Sequence, residues 1–66
     1  REVMKNLYDV MQLLKKYGTY IYTKDRLSDV MLMEDEVREL YNAGVLEIKD
    51  YQMAILILRQ EAAKYK

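Results

Sequence analysis

The residues best suited to chemistry lie between Lys15 and Arg26, where basic side chains are interleaved with tyrosines around a glycine. The basic and aromatic members of this stretch are Lys15, Lys16, Tyr17, Tyr20, Tyr22, Lys24 and Arg26. Single-stranded nucleic acid is bound by such a combination, because cations follow the phosphates while aromatic rings stack on the bases, each stacked base contributing about 1–3 kcal/mol. The stretch therefore indicates a binding surface for single-stranded DNA or RNA.

The same stretch also has a purely structural explanation. Tyr17 continues the apolar stripe of the preceding helix, and a tyrosine in a connection often only covers a small core. Lys15 and Lys16 fall in the last turn of that helix, where cations interact favourably with the helix dipole. The sequence leaves both explanations open, and burial of Tyr20 and Tyr22 would exclude the stacking role.

The rest of the chain offers little catalytic chemistry. It contains no His and no Cys, which removes the usual general bases, the thiol nucleophile and cysteine-based zinc sites. The hydroxyl groups of Thr19, Thr23 and Ser28 have no base at a spacing that identifies a partner. Neither a glycine-rich phosphate loop nor a zinc pattern is present. We therefore expect a protein that is not an enzyme, with no cofactor and no small-molecule substrate.

The acidic run Glu34-Asp35-Glu36 is a candidate for a cation site, since carboxylate oxygens suit calcium or magnesium. Consecutive residues on a helix point in different directions, so three carboxylates in a row do not converge easily on one ion. We expect a solvated acidic face here and no metal site.

Three apolar stripes with helical spacing account for most of the chain. The first runs from Val3 to Tyr17 and is followed by Gly18, a good residue for a left-handed C-terminal cap. Between residues 19 and 23 every side chain is β-branched or aromatic, which favours an extended backbone. Alternation along this connector should turn Ile21 towards the core and the tyrosines beside it towards solvent.

The second stripe begins after Asp25, whose carboxylate can accept from the free amides of the first helical turn. It ends at Gly44, again a suitable cap. The third stripe opens at Glu47 or Asp50, which places negative charge at the positive end of the helix, and continues to Tyr65.

These stripes predict an all-α fold, an up-down-up three-helix bundle with helices at approximately residues 2–17, 25–42 and 48–65 and an extended connector at 18–24. Residues 1–66 should form one domain, since the chain is short and has no linker. Without cysteine the domain must be stabilised by packing alone, which suits the cytoplasm. The longest apolar run, Ala54 to Leu58, is far shorter than the roughly 20 residues that cross a membrane, so we expect no membrane association.

The net charge is zero, but the two signs are separated along the chain. Residues 1–26 carry six basic and three acidic side chains, whereas residues 27–50 carry two basic and seven acidic ones. The molecule can therefore present a basic and an acidic face, although solvated faces that pair with one another are the simpler interpretation. The acidic second helix and exposed Met and Tyr offer an alternative function, a module for protein–protein interaction or homo-oligomerisation.

Several segments together resemble the YqgQ-like family, a group of small uncharacterised proteins of Gram-positive bacteria. They cover nearly the whole chain: Tyr8-Asp9-Val10, Leu13-Leu14-Lys15, residues 17–23, Asp25-Arg26-Leu27, residues 32–36, Arg38-Glu39-Leu40-Tyr41 and residues 57–61. None of them is a catalytic motif. The resemblance implies a cytoplasmic three-helix protein with a proposed role in binding single-stranded nucleic acid.

The resemblance carries that role to individual positions of this chain, namely Lys15, Tyr20, Tyr22, Arg26 and Arg59. Lys16 and Lys24 extend the same surface by their charge. Glycine is common in the family where this chain has Lys24. The lysine therefore adds charge to the surface and can alter the turn before Asp25.

Overall fold

The structure, a computed structural model, describes residues 4–65. In this range the chain forms three helices, α1 (Leu7–Lys16), α2 (Arg26–Asn42) and α3 (Ile48–Ala63). The most extensive packing is between α2 and α3, and α1 lies against both. The predicted all-α three-helix bundle is confirmed.

The first helix begins later than the apolar spacing predicts. Predicted helical residues 2 and 3 lie outside the described residues, and residues 4–6 are not helical. Asn6 has an extended backbone (φ −152°, ψ 178°), and its side-chain oxygen accepts a hydrogen bond from the N–H of Asp9 at 3.1 Å. This N-cap starts the helix, although the apolar pattern continues upstream through Met4, which packs against the core.

The two glycines end their helices as predicted. After α1, Gly18 has φ +87°, and the N–H of Thr19 donates to the carbonyl oxygen of Leu14 at 3.0 Å. After α2, Gly44 has φ +80° and the same pattern of hydrogen bonds recurs around it. This Schellman arrangement needs a left-handed residue after the helix, a conformation that glycine adopts without a Cβ clash.

Two tyrosines at the ends of the predicted stripes are not core residues. Tyr17 follows α1 and is exposed, with its hydroxyl donating to the carbonyl oxygen of Val45 at 3.4 Å. Tyr65 lies beyond the end of α3 at Ala63 and is exposed as well. Both predictions were wrong because helical spacing directs a side chain only while the chain remains helical.

The core forms where the three stripes meet, and the α2–α3 connection closes it. Its buried apolar side chains are Val10, Leu14, Val30, Met33, Val37, Leu46, Ala54, Ile55, Ile57 and Leu58. Helices α2 and α3 run antiparallel. Near their connected ends the rings of Tyr41 and Tyr51 stack with centroids 4.3 Å apart, and further along Glu34 of α2 lies 3.9 Å from Arg59 of α3.

The connector between α1 and α2 runs along the bundle rather than making a tight turn. At its start, Tyr17 contacts Val45, just beyond the end of α2. At its other end, Thr23 contacts Asp29 in the first turn of α2. Asp29 and the end of α2 are about 20 Å apart, since a helix rises 1.5 Å per residue. Helix α1 therefore ends near the level where α2 also ends, which differs from the predicted up-down-up path.

Candidate functional site

The predicted exposure of the two connector tyrosines is confirmed. Tyr20 and Tyr22 are 73% and 65% exposed, whereas Ile21 between them is half-buried against the core. No turn, bend or helix interrupts residues 19–23, so the backbone is extended and alternate side chains face opposite sides. Both rings therefore project on the solvent side of the connector, and covering the core does not account for them.

A buried carboxylate fixes the far end of the connector. Asp29 is 4% exposed and accepts two hydrogen bonds of 2.6 Å from Thr23, one from its N–H and one from Oγ1. A buried polar group needs such donors, because it has lost its water. The pair therefore holds the connector against the first turn of α2 and sets the direction in which Tyr22 leaves it.

Sequence reasoning missed Asp29. The available signal was its position within the apolar stripe of α2, one helical turn before Met33 and next to Val30, both of which are buried. A carboxylate on that face needs a hydrogen-bond donor from elsewhere in the chain. The hydroxyl of Thr23, in the preceding connector, is such a donor.

Asp25 stands at the N-cap position of α2, but it does not cap the helix with its side chain. Its backbone is extended (φ −123°, ψ 113°), and its carboxylate accepts from the hydroxyl of Ser28 at 2.6 Å rather than from a helix amide. The predicted capping bond is therefore wrong. The physical reason is a competing local donor, since Ser28 lies three residues ahead and its hydroxyl can turn towards the carboxylate.

Lys24 adopts a left-handed backbone conformation with φ +70°. Among the described residues it is the one non-glycine residue that does so. A residue with a Cβ atom costs about 1–2 kcal/mol in this region, and glycine does not. The turn before Asp25 therefore suits glycine better than lysine, and Lys24 adds a charge at a conformational cost.

Four exposed cations flank the two tyrosines. Lys15 and Lys16 end α1, and Lys24 and Arg26 stand at the start of α2. None of the four forms an ion pair within residues 4–65. We call Lys15, Lys16, Tyr20, Tyr22, Lys24 and Arg26 the connector surface. It contains all the predicted site residues except Arg59, and its charges are free to meet an anionic ligand.

Arg59 lies on α3 beside the acidic face of α2. Its guanidinium is 3.9 Å from the carboxylate of Glu34, which also accepts from Arg38 at 2.6 Å. That hydrogen bond is the main reason why the pKa of Arg38 is raised above its ordinary value. Glu34 is about 12 Å along the helix from Arg26, so Arg59 is separated from the cations at the start of α2.

Two residues of the acidic run at 34–36 form ion pairs within α2. Glu34 and Asp35 both accept from Arg38, at 2.6 and 3.3 Å. Nowhere between residues 4 and 65 do three potential ligand side chains come together to hold a metal ion. In the same part of the chain, none of the helices has the length and apolar character to span a bilayer.

Comparison with known proteins gives the family. A sequence model of the YqgQ-like family matches residues 4–64. The chain belongs to the YqgQ-like family. It is similar to a Bacillus subtilis (strain 168) protein named "Uncharacterized protein YqgQ", at 38% identity over 63 residues that cover 96% of this chain and 89% of the relative. The family resemblance is confirmed over nearly the whole chain, and the relative's name assigns no activity.

Proposed function

We propose that the connector surface binds single-stranded nucleic acid weakly and with little sequence preference, as a non-enzymatic cytoplasmic module. One observation carries the proposal. Tyr20 and Tyr22 are exposed on the same side of an extended segment, and the cations on either side of them have no acidic partner among the described residues. Bases stack on the two rings while phosphates contact the lysines and Arg26.

The spacing of the tyrosines suits a single strand. Two residues of extended chain advance about 6.6 Å. This is close to twice the rise of roughly 3.4 Å per nucleotide along one strand of a duplex. One base therefore fits between the rings of Tyr20 and Tyr22, or one base on each. Stacking uses the face that every base has, which is why we expect little sequence preference.

The cations make the binding sensitive to salt. On a single strand each phosphate contact contributes about −0.7 to the slope of log affinity against log salt. If all four cations of the connector surface contact phosphates, the affinity falls about 50-fold between 50 and 200 mM salt. Fluorescence anisotropy with a labelled oligothymidine at these two salt concentrations measures this fall in affinity. Absence of binding at the lower concentration would refute the proposal.

Substitutions locate the site. Replacing Tyr20 or Tyr22 by Ala should lower the affinity by about 5- to 150-fold, the equivalent of one stacked base. Tyr8→Ala is the matched control, because Tyr8 is also an exposed tyrosine but lies on α1. Equal losses for Tyr8 and Tyr20 would place the binding site elsewhere.

Charge substitutions are matched in the same way. Arg26→Ala should weaken binding and reduce the salt dependence, whereas Lys49→Ala removes the same charge from an exposed residue of α3 and should have little effect. The oligonucleotide affinity of Arg59→Ala shows whether Arg59 contributes to binding. Because Arg59 lies beside Glu34, we expect a smaller loss than for Arg26.

A second candidate function is protein–protein interaction through the outer face of α2. It is favoured by the side chain of Met31, which is 60% exposed next to an exposed Leu32, with Asp35 one turn further along. Exposed methionine adapts to different partners, and the neighbouring acid favours a basic one. A partner that is captured from cell extract by the wild type and lost with Met31→Glu would support this function. Capture by both proteins would argue against this face.

A further inference from the structure

The connector has an extended backbone like that of a β-strand, and it pairs with no strand among the described residues. Its residues 19–23 are extended, and all five carry the β-branched or aromatic side chains that favour strand pairing. The main-chain N–H and C=O groups of Tyr20, Ile21 and Tyr22 form no hydrogen bond to any other described residue. Such a segment is a template for an added strand, because its backbone donors and acceptors are available in a row.

One edge of this strand is open. Backbone groups of successive residues point to opposite edges, so the odd-numbered residues share one edge while Tyr20 and Tyr22 share the other. The N–H of Thr19 donates to α1, and the N–H of Thr23 donates to α2. The odd-numbered edge therefore faces the helices, and the edge of Tyr20 and Tyr22 faces away from them.

We propose that this open edge pairs with the same edge of a second copy of the chain, antiparallel and centred on Ile21. The segment Thr-Tyr-Ile-Tyr-Thr reads the same in both directions. A twofold axis at Ile21 sets Tyr20 opposite the second copy's Tyr22, and because both positions are Tyr, each pair that exchanges N–H···O bonds is also an aromatic pair. A symmetric dimer requires a self-complementary patch, and the open edge is one, because the twofold axis sets its N–H groups opposite the C=O groups of its copy.

The paired strands keep the tyrosine rings accessible. Ile21 faces the core in each copy, so Tyr20 and Tyr22 of both copies lie together on the solvent side. Aromatic residues opposite one another on neighbouring strands add to the stability of the pair. The pairing does not depend on nucleic-acid binding. Only its consequence, a stacking platform twice as large, rests on the proposed function.

The flanking charges oppose the dimer at low salt. The antiparallel register brings Lys24 and Arg26 of one copy towards Lys15 and Lys16 of the other, and like charges repel. Salt screens this repulsion, since the screening length falls from about 10 Å at 0.1 M to about 3 Å at 1 M. Self-association therefore strengthens as salt rises, whereas nucleic-acid binding weakens.

Sedimentation velocity of the full chain, from micromolar to millimolar concentration, tests the pairing. We expect a small contact and a weak dimer, whose fraction grows with protein concentration and with salt between about 0.1 and 1 M. Tyr22→Pro removes an N–H from the open edge while leaving Ile21 extended, and it should raise the dissociation constant about tenfold or more. The matched control Tyr22→Thr keeps the N–H and should still dimerise.

Hydrogen exchange on the wild type gives a readout that needs no variant. At high salt and high concentration the amides of Tyr20 and Tyr22 should gain protection, while the amide of Ile21, on the other edge, should not. A monomer under all conditions would overturn the proposal, as would equal dimerisation of Tyr22→Pro and Tyr22→Thr. Protection that appears only with an added unrelated strand peptide would assign the edge to another partner. Loss of oligonucleotide binding with the dimer intact would remove the proposed function and leave this pairing standing.

Discussion

The α2–α3 pair and the connector use the same residue types in opposite ways. In the helix pair, Tyr41 and Tyr51 stack on each other at 4.3 Å, and Arg38 and Arg59 both approach Glu34. In the connector surface, two tyrosines are exposed and four cations have no acidic partner within the described chain. Aromatic rings and charges in the helix pair satisfy each other, and those of the connector do not.

The difference separates residues that build the fold from residues that are free to bind. A side chain whose partners lie in the same molecule contributes to the stability of the bundle. A side chain kept exposed by a rigid support, as Tyr22 is by the Thr23–Asp29 pair, contributes little to stability and remains available to a ligand. Stability and binding should therefore respond to different substitutions.

The largest effect on stability should come from a buried core residue of the helix pair. Leu58→Ala empties part of the core and should lower the free energy of unfolding by about 2–5 kcal/mol. For a domain of this length that is a large part of the roughly 3–10 kcal/mol expected in total. Urea denaturation measures it. Leu56→Ala, two residues away and exposed, is the control and should change stability far less.

Next in size is the support of the connector. Asp29→Ala leaves both donors of Thr23 without their acceptor and should cost about 1–3 kcal/mol. It should also speed hydrogen exchange at Thr23 and weaken oligonucleotide binding, because Tyr22 loses its fixed position. Asp25→Ala is the control, since among the described residues that exposed carboxylate bonds to Ser28 alone. Equal exchange rates in the two variants would show that Asp29 does not anchor the connector.

Substituting a stacked tyrosine should affect stability but not binding, and substituting an exposed connector tyrosine should do the reverse. Tyr51→Leu removes the stack with Tyr41 and should cost about 0.5–1.5 kcal/mol of stability, with oligonucleotide affinity unchanged. Tyr20→Leu should leave stability within about 0.5 kcal/mol and lower the affinity. Thermal unfolding and anisotropy on the same two variants provide the measurements. If Tyr51→Leu weakened binding as much as Tyr20→Leu, the separation of roles would be wrong.

The smallest effect is expected at the strained turn. Lys24→Gly relieves the left-handed conformation at φ +70° and should raise stability by about 0.5–1 kcal/mol, since glycine's greater freedom when unfolded offsets part of the gain. Lys24→Ala removes the same charge and keeps the strain. The two variants should therefore bind oligonucleotide equally weakly and differ in urea midpoint. Equal midpoints would mean that the turn stores no strain.

Much of this arrangement follows from local pattern. Apolar spacing located three helices, and Gly18 and Gly44 placed two of their ends, because few other residues adopt the left-handed cap. The composition of residues 19–23 predicted an extended segment with Ile21 inward and tyrosines outward, as the structure has it. The start of α1 was predicted too early, since a single hydrogen bond from the N–H of Asp9 to the side chain of Asn6 outweighs a continuing stripe.

The sequence by itself therefore determined the three helices, their two glycine C-caps and the outward direction of Tyr20 and Tyr22, since these depend on backbone preferences and on periods of two and 3.6 residues. Tertiary structure decided which charges are paired and which are free, because Glu34 and Arg59 are far apart in the chain and meet only across α2 and α3. It also decided that the connector runs along the bundle and is fixed at its far end by Asp29. The contact between Thr23 and Asp29 arises because packing buries the Asp29 carboxylate, and the helix or strand preferences of single residues do not predict it.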